Sequence, residues 1–255
     1  MIDIPRNLIV RRELWFDEPW QRDGADLLVF YHWSQPVNPR ASVEVCSLEV
    51  DLLRKPEELW KCVNSTTRNS VNRAKAEGLS HQVWANPPRD VLDEFFEFKR
   101  RFDAGRGMES ADPVWMYAYA EQGALILSRA CTSDGMPLVW HSYARTPGWV
   151  RLLHSASLLA EADRNHRELI SRANRYLHWR DMLECRELGS RRMDFGGWYN
   201  GTADEKLLRI NAFKEQFGGA KNLRYHSMLP ASTWGYLFLK AREYLKGESG
   251  LVNFV

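Results

Sequence analysis

Three strand-like segments joined by tight turns lie in the middle of the chain, and they constrain its fold most strongly. Residues 124–132, 137–144 and 149–157 are rich in β-branched, aliphatic and aromatic side chains. The first connection is Ser133-Asp134-Gly135 and the second is Thr146-Pro147-Gly148, and both are tight-turn sequences. Strands joined so closely pair as antiparallel neighbours, so this region predicts a three-stranded meander.

Helices and strands alternate after the meander. The pattern predicts a long helix over 167–188 that Gly189 ends, because glycine is the usual residue just beyond a helix. It then predicts a strand, a helix, a strand and a last helix over 192–195, 203–217, 223–228 and 232–246. A meander followed by this alternation is typical of the α+β class.

The segment before the meander mixes the two element types. It predicts strands over 7–16, 26–33, 42–52 and 81–85, helices over 88–102 and 113–122, and a loop over 104–110 that serves as a domain seam or lid. Residues 56–78 predict one helix, although Ser65-Thr66-Thr67 would cap a second helix and divide it. We expect an N-terminal half, 1–110, and a core, 111–255, in one compact unit.

The charge balance limits the partners of a chain this long. The 255 residues carry 35 Lys and Arg against 33 Asp and Glu, a formal charge of 35 − 33 = +2. A dedicated nucleic-acid binder would normally have a basic surplus, so an anionic ligand must be held by a local group of cations. No run of 18 apolar residues is present, and we therefore expect no membrane span.

The cysteines and the N-terminus favour a reducing compartment. Cys46, Cys62, Cys131 and Cys185 are far apart and form no CxxC pair, which favours reduced thiols over a zinc site or a disulfide framework. The first residues lack the basic and apolar regions of a signal peptide, so we expect a cytoplasmic protein. His166 and His178 are twelve residues apart, with no carboxylate at zinc spacing, and we expect no metal.

Three segments carry side chains that chemistry can use. Asp194-Phe195-Gly196-Gly197 follows a strand, where its glycines allow a ligand close to the backbone or merely form a turn capped by Asp194. Lys214, in the helix before Phe217-Gly218-Gly219, either meets a phosphate at the core margin or is an ordinary solvated lysine. Residues 164–176 are rich in arginine at a helix start, which is either an anion site or a solvated face.

Four segments in sequence order resemble the Fem-type branch of the GNAT acyltransferase superfamily, which includes related proteins of polysaccharide gene clusters. They are residues 59–78, residues 170–182, Asp194-Phe195-Gly196-Gly197 and residues 213–219. The resemblance implies a mixed, largely antiparallel sheet flanked by helices, in which two central strands splay apart to admit an activated acyl donor. Residues 1–110 would then be a degenerate GNAT-like half, and 111–255 the acyltransferase core.

The resemblance also implies a donor site. The strand ending at His154-Ser155-Ala156-Ser157 would be splayed, and the following helix, entered through Ser171 to Arg175, would bind the phosphates of the donor. Ser155, Ser171, Arg172, Asn174 and Arg175 are accordingly the expected donor-binding residues. Glu168, Ser171 and Ala173 fall at the spacing of the family's phosphate loop, where the glutamate and the serine depart from its pattern.

The expected reaction is transfer of an acyl group from acyl-CoA to the amine of an amino sugar, linked to a nucleotide and destined for a surface polysaccharide. His154, His141 or Asp194 would be the general base, with Lys214 facing an oxyanion or phosphate. His141, Trp198 and Arg68 would contact the acceptor. One alternative is the aminoacyl-tRNA-dependent transfer of the Fem enzymes proper, which act on cell-wall precursors. Another is a non-catalytic GNAT-like binding protein.

Overall fold

The structure is a computed structural model that describes residues 1–6, 9–39, 42–106, 113–158 and 163–246. The described strands are β1 (Ile2–Arg6), β2 (Ile9–Trp15), β3 (Leu27–Trp33), β4 (Ser42–Asp51), β5 (Ser80–Trp84), β6 (Leu125–Cys131), β7 (Pro137–Thr146), β8 (Trp149–Ser157), β9 (Arg192–Trp198) and β10 (Ala220–Pro230). The described helices are α1 (Pro56–Cys62), α2 (Ser65–Ala76), α3 (Arg89–Ala104), α4 (Val114–Glu121), α5 (Arg164–Glu187), α6 (Glu205–Glu215) and α7 (Thr233–Lys246). The α+β class is confirmed.

The chain divides into two compact units. One consists of Met1–Ser47 with Lys221–Val255, and the other of Leu48–Ala220. The boundary expected near residue 110 therefore falls inside the second unit. The loop expected over 104–110 lies mostly outside the described residues.

The first unit contains mixed strand pairings. β1 pairs with β2 antiparallel, β2 with β3 parallel, and β3 with β10 antiparallel. Leu14, Leu28 and Phe30 are buried together in its core. The strand predicted over 7–16 is confirmed as β2, whereas β1 is a further strand that the sequence pattern did not predict.

The second unit contains the expected meander. β5, β6, β7 and β8 pair antiparallel in that order, and β8 pairs with β9 parallel. The sheet is thus mixed and largely antiparallel, as expected. α5 packs against β6 and β7, while α3 packs against β8 and α4 against β6.

A β-bulge in β8 changes which side chains share a face. His154 lies opposite Ser142 on β7 and Leu152 lies opposite Tyr143, so the register skips Leu153. Cross-strand partners share a face. Tyr143 and Leu152 therefore face α5, whereas His154 faces α3 and α4.

Capping side chains decide where two of the helices begin. Residues 56–78 form two helices, and the cap of α2 is Asn64, whose side chain accepts a hydrogen bond from the Thr67 N–H. The proposed capping by residues 65–67 is therefore wrong. α5 begins at Arg164, because Asp163 accepts from the His166 N–H. We had expected the helix to begin at Ser171 to Arg175. These residues instead lie in later turns of α5.

The largest core of the second unit lies where α5 faces the sheet. Tyr143, Ile170, Leu177, Met182 and Phe195 are buried within it. No helix among the described residues is long and apolar enough to cross a lipid bilayer.

Candidate functional site

β8 and β9 pair only at their beginnings. The parallel ladder consists of Trp149 with Arg192, Val150 with Met193 and Arg151 with Asp194. β8 continues to Ser157 and β9 to Trp198 with no further ladder partners between them in the described chain. The two strands are therefore unpaired after Arg151, and we call the region between their unpaired parts the strand wedge.

An ion pair lies where the wedge begins. Arg151 Nη1 is 2.7 Å from Asp194 Oδ2, and the Asp194 side chain is fully buried. Asp194 Oδ1 accepts a hydrogen bond of 2.7 Å from the Gly196 N–H. Gly196 has φ +83°, a conformation that favours glycine, so β9 turns away from β8 directly after the ion pair.

Lys214 reaches the same place from α6. Its Nζ donates to the Gly197 carbonyl at 2.5 Å. A Cβ built at Gly196 would lie 3.8 Å from Lys214 Nζ and 3.5 Å from the Leu152 carbonyl oxygen of β8. Burial lowers the pKa of Lys214 to about 8. The attraction of Asp194 opposes this shift, and the repulsion of Arg151 adds to it. Two cations and one carboxylate thus give the mouth of the wedge a net positive charge.

His154 follows the bulge and faces α3 and α4. Its Nδ1 is 2.8 Å from Ser142 Oγ, and its ring lies beside Phe95 and Trp115. Burial, and then the nearby Lys99, lower the pKa of His154 to about 4. The imidazole is therefore neutral at pH 7, and its Nε2 has no hydrogen-bond partner among the described residues.

This burial predicts an acid-dependent loss of stability. The pKa of His154 is about 4 in the folded protein, against the ordinary histidine value of 6.5, so its contribution to stability is complete above pH 6.5 and declines as the pH falls toward 4. When the pH falls from 7.5 to 5, the free energy of unfolding of the wild-type protein should decrease by about 2 kcal/mol more than that of the His154→Gln variant, in which this position cannot titrate. Urea unfolding at both pH values measures this difference, and equal losses would contradict the prediction.

A buried polar network links β7 to α5. His141 Nδ1 is 2.7 Å from Asp181 Oδ2 and its Nε2 is 2.9 Å from Asn174 Oδ1. The Tyr143 hydroxyl donates to the same Asp181 oxygen at 2.6 Å. Ser155 Oγ, on β8, donates weakly to Asn174 Oδ1 at 3.4 Å. His141 is fully buried, so it holds α5 against the sheet and supports the β8 side of the wedge.

The network includes side chains that can bind metals. Ligand atoms of His141, His178 and Asp181 lie within 4.8 Å of one another. However, His141 and Asp181 are only 2.7 Å apart, whereas two ligands of a tetrahedral zinc ion are about 3.3 Å apart. The contact is a hydrogen bond, and we assign no metal to it.

A cationic groove runs between α2 and α5. It has a volume of about 590 Å³ and contains five arginines and one glutamate. Its lining residues are Thr66, Asn69, Ser70, Arg73, Arg164, Arg167, Glu168, Ser171, Arg172 and Arg175. We call it the arginine groove. Residues 164–175 thus present several cations on one side of α5, next to the polar side chains of α2.

Arg175 differs from its neighbours in the arginine groove. Arg172 and Arg73 both pair with Glu77, at 2.8 and 3.0 Å. Arg175 instead bonds only neutral groups among the described residues, namely Ser171 and Gln216, and lies over the Phe213 ring. Burial alone lowers its pKa. A half-buried cation without a carboxylate partner is suited to receive an anion.

The other expected site residues have separate locations. Arg68 donates to the Trp60, Lys61 and Val63 carbonyls at the end of α1, which is a structural contact. Trp198, the last residue of β9, packs against the core. The structure therefore groups Asp194 with Lys214, and Ser171 with Arg172 and Arg175, while Asn174 and Ser155 join the network of His141.

Sequence reasoning missed two important residues. Arg151 stands in an alternating strand pattern, where a charged side chain normally indicates the solvent face. Asp181 lies three residues after His178 within the buried stripe of α5. Because a buried carboxylate needs a hydrogen-bonding partner, its position in that stripe could have indicated a buried polar contact.

The fold that contains these parallel strands, the bulge and the preceding meander is similar to the folds of several solved structures. Among solved structures, FemX matches with a TM-score of 0.60 and 14% identity over 80% of this chain. The L-PGS of Bacillus licheniformis matches with a TM-score of 0.52 and 14% identity over 85%. The C-terminal domain of a putative lysylphosphatidylglycerol synthetase from Agrobacterium fabrum matches with a TM-score of 0.51 and 17% identity over 90%.

The matches differ in how much of each neighbour is covered. This chain spans 64% of FemX, 72% of the L-PGS and 75% of the Agrobacterium domain. No sequence-family model matches the chain, and no curated protein matches it in sequence. The likeness is therefore one of fold, and the activity has to be argued from the site.

Proposed function

We propose that the protein is an N-acyltransferase that moves an acyl group from acyl-CoA to the amine of an amino sugar, linked to a nucleotide. The strand wedge between β8 and β9 carries this proposal. Peptide groups of β8 beyond Arg151 are not paired with β9, and they are suited to bind the extended pantetheine arm of a thioester donor.

The phosphates of the donor bind at the arginine groove. Arg175 and Arg172 provide cations there, with Ser171 as a neutral partner, and the groove follows the first turns of α5. Guanidinium groups bind phosphate oxygens through paired hydrogen bonds. The donor then extends from the α5 face into the wedge, with its thioester carbonyl near the Leu153 bulge.

The chemistry requires one bond to form and one to break. The amine nitrogen attacks the thioester carbonyl, the C–S bond breaks, and the amine proton ends on the released thiol. Lys214 stabilises the oxyanion that develops on the carbonyl. His154 is assigned no proton transfer, since a group with a pKa of about 4 is a weak base. Asp194 positions Arg151 and β9 rather than acting as a base.

A second candidate function is transfer from aminoacyl-tRNA. FemX and the L-PGS share the fold at TM-scores above 0.5, and enzymes of the Fem type proper use that donor. The arginine groove would then contact the phosphates of the tRNA acceptor end. A shift in melting temperature distinguishes the two donors, because a tight ligand raises the melting temperature of the protein it binds.

The test compares the two donors directly. We expect acyl-CoA to raise the melting temperature, and mass spectrometry to detect free CoA and an acylated sugar after incubation with UDP- or dTDP-amino sugars. A shift with charged tRNA and none with any acyl-CoA would favour the second function. A protein that binds neither donor would be a GNAT-like binding protein instead.

Arg175→Gln tests the donor site. We expect CoA to bind about 10- to 100-fold more weakly, since a charged hydrogen bond contributes about 1.5–3 kcal/mol. The melting temperature should not fall, because burial disfavours the charge of Arg175. Isothermal titration calorimetry measures the affinity, with Arg209→Gln on α6 as the matched control. An unchanged affinity for CoA would show that its phosphates bind elsewhere.

A further inference from the structure

A second cavity lies on the opposite face of β8 from the arginine groove. It has a volume of about 310 Å³ and lies between α3, α4 and β8. Its apolar walls are Phe95, Phe96, Met116 and Tyr117, and His154 contributes the β8 side. Phe95 and Met116 are almost completely buried.

The polar groups around this cavity already have protein partners. Lys99 Nζ is 2.7 Å from Asp103, a pair that is itself nearly buried. The Tyr117 hydroxyl donates to Asp93 at 2.7 Å. Glu97 and Arg100, which also line the cavity, pair with each other. The remaining lining is hydrocarbon and aromatic surface together with one imidazole. Such a lining is unsuited to a sugar, whose hydroxyl groups would be left without hydrogen bonds.

The position of the cavity connects it to the strand wedge. His154 directly follows Leu153, the residue that the ladder skips, and it faces the cavity. His154 also belongs to the stretch of β8 that is not paired with β9, and the bulge turns it toward the side on which α3 and α4 lie. The cavity is the apolar space on that side into which His154 projects.

We propose that this cavity binds the hydrocarbon chain of the donor's acyl group, which makes the substrate a medium-chain rather than an acetyl thioester. This inference rests on the function proposed above. A methylene group occupies about the volume of a water molecule, roughly 30 Å³, so 310 Å³ accommodates about ten carbon atoms. Cavities of this size and lining are typical of sites for small apolar ligands.

Calorimetry with acetyl-, hexanoyl-, decanoyl- and palmitoyl-CoA tests the proposal on the whole protein. We expect the affinity to rise with each added methylene, by up to about fourfold, and to level off beyond about ten carbons. Equal affinities across the series would overturn the inference and leave acyl-CoA as the donor. No binding of any acyl-CoA would instead overturn the proposed function, and this inference with it.

Two substitutions with opposite effects test whether the acyl chain of the donor binds in this cavity. Met116→Trp fills the cavity and should abolish the preference for decanoyl- over acetyl-CoA, whereas Phe96→Ala enlarges it and should move the optimum to longer chains. Val114→Trp, on an exposed position of α4, is the matched control and should keep the original series. If chain length matters only in a series of alkylamine acceptors, the cavity belongs to the acceptor and the proposal is wrong.

Discussion

Replacing Asp194 by alanine is expected to lower the free energy of unfolding by about 3–5 kcal/mol, the usual cost of removing one partner of a buried ion pair. The carboxylate is fully buried, and it faces Arg151 at 2.7 Å. It also accepts the Gly196 N–H, so the variant loses a charge partner and a backbone acceptor together. Urea unfolding at pH 7.5 measures the change.

Further variants separate charge from shape at this position. Asp194→Asn retains an acceptor for the Gly196 N–H and should cost less than alanine. The pair Arg151→Met with Asp194→Leu removes both charges, and it should cost less than the sum of its single changes. Arg209→Met, in an exposed pair with Glu205, is the control and should leave stability nearly unchanged. A loss below about 1 kcal/mol for Asp194→Ala would contradict the role given to the pair.

Replacing Lys214 by methionine is expected to reduce kcat by about 100- to 1,000-fold, as loss of one oxyanion donor does in other enzymes. Methionine retains much of the apolar stem, so the change concerns the ammonium group. The pKa of Lys214 is about 8, so the ammonium form predominates at pH 7 and decreases above pH 8. The rate of the wild-type enzyme should therefore fall as the pH rises through 8.

Lys214→Arg provides the matched comparison. Arginine keeps its charge at alkaline pH, so any activity that it retains should persist above pH 8. A purely structural role through the Gly197 carbonyl would lower the melting temperature and leave the pH profile unchanged. Initial rates between pH 6 and 9.5, with melting temperatures at each pH, distinguish these outcomes. An unchanged kcat in Lys214→Met would remove the residue from the mechanism.

Local signals were sufficient for most of the fold. The turns at Ser133-Asp134-Gly135 and Thr146-Pro147-Gly148 each connect neighbouring strands, which is why the meander is predictable. β1 was missed because Pro5 interrupts a five-residue pattern, and proline usually argues against a strand except at an edge. The start of α5 was placed too late because Arg164-Asn165-His166 carries no apolar residue, although Asp163 provides the cap.

The site depends on contacts that the sequence pattern does not record. Asp194 and Lys214 stand out through glycines beside them, and they were identified. Arg151 faces Asp194 only because two strands 43 residues apart pair in parallel. His141 likewise meets Asp181 across 40 residues. Pairings of this kind follow from the packing of the whole unit, whereas periodicity describes one element at a time.

The extra residue at Leu153 reverses the alternation of side chains between the two faces of β8 for the rest of the strand. Because of it, Arg151 and His154 lie on one side although they are three positions apart, and Ser155 points the other way. In a regular strand of the same sequence, Leu153 would pair with Ser142, so that His154 would turn toward α5 and Ser155 toward α3. The Ser142–His154 and Ser155–Asn174 bonds would both be lost, although no side chain in the protein had changed.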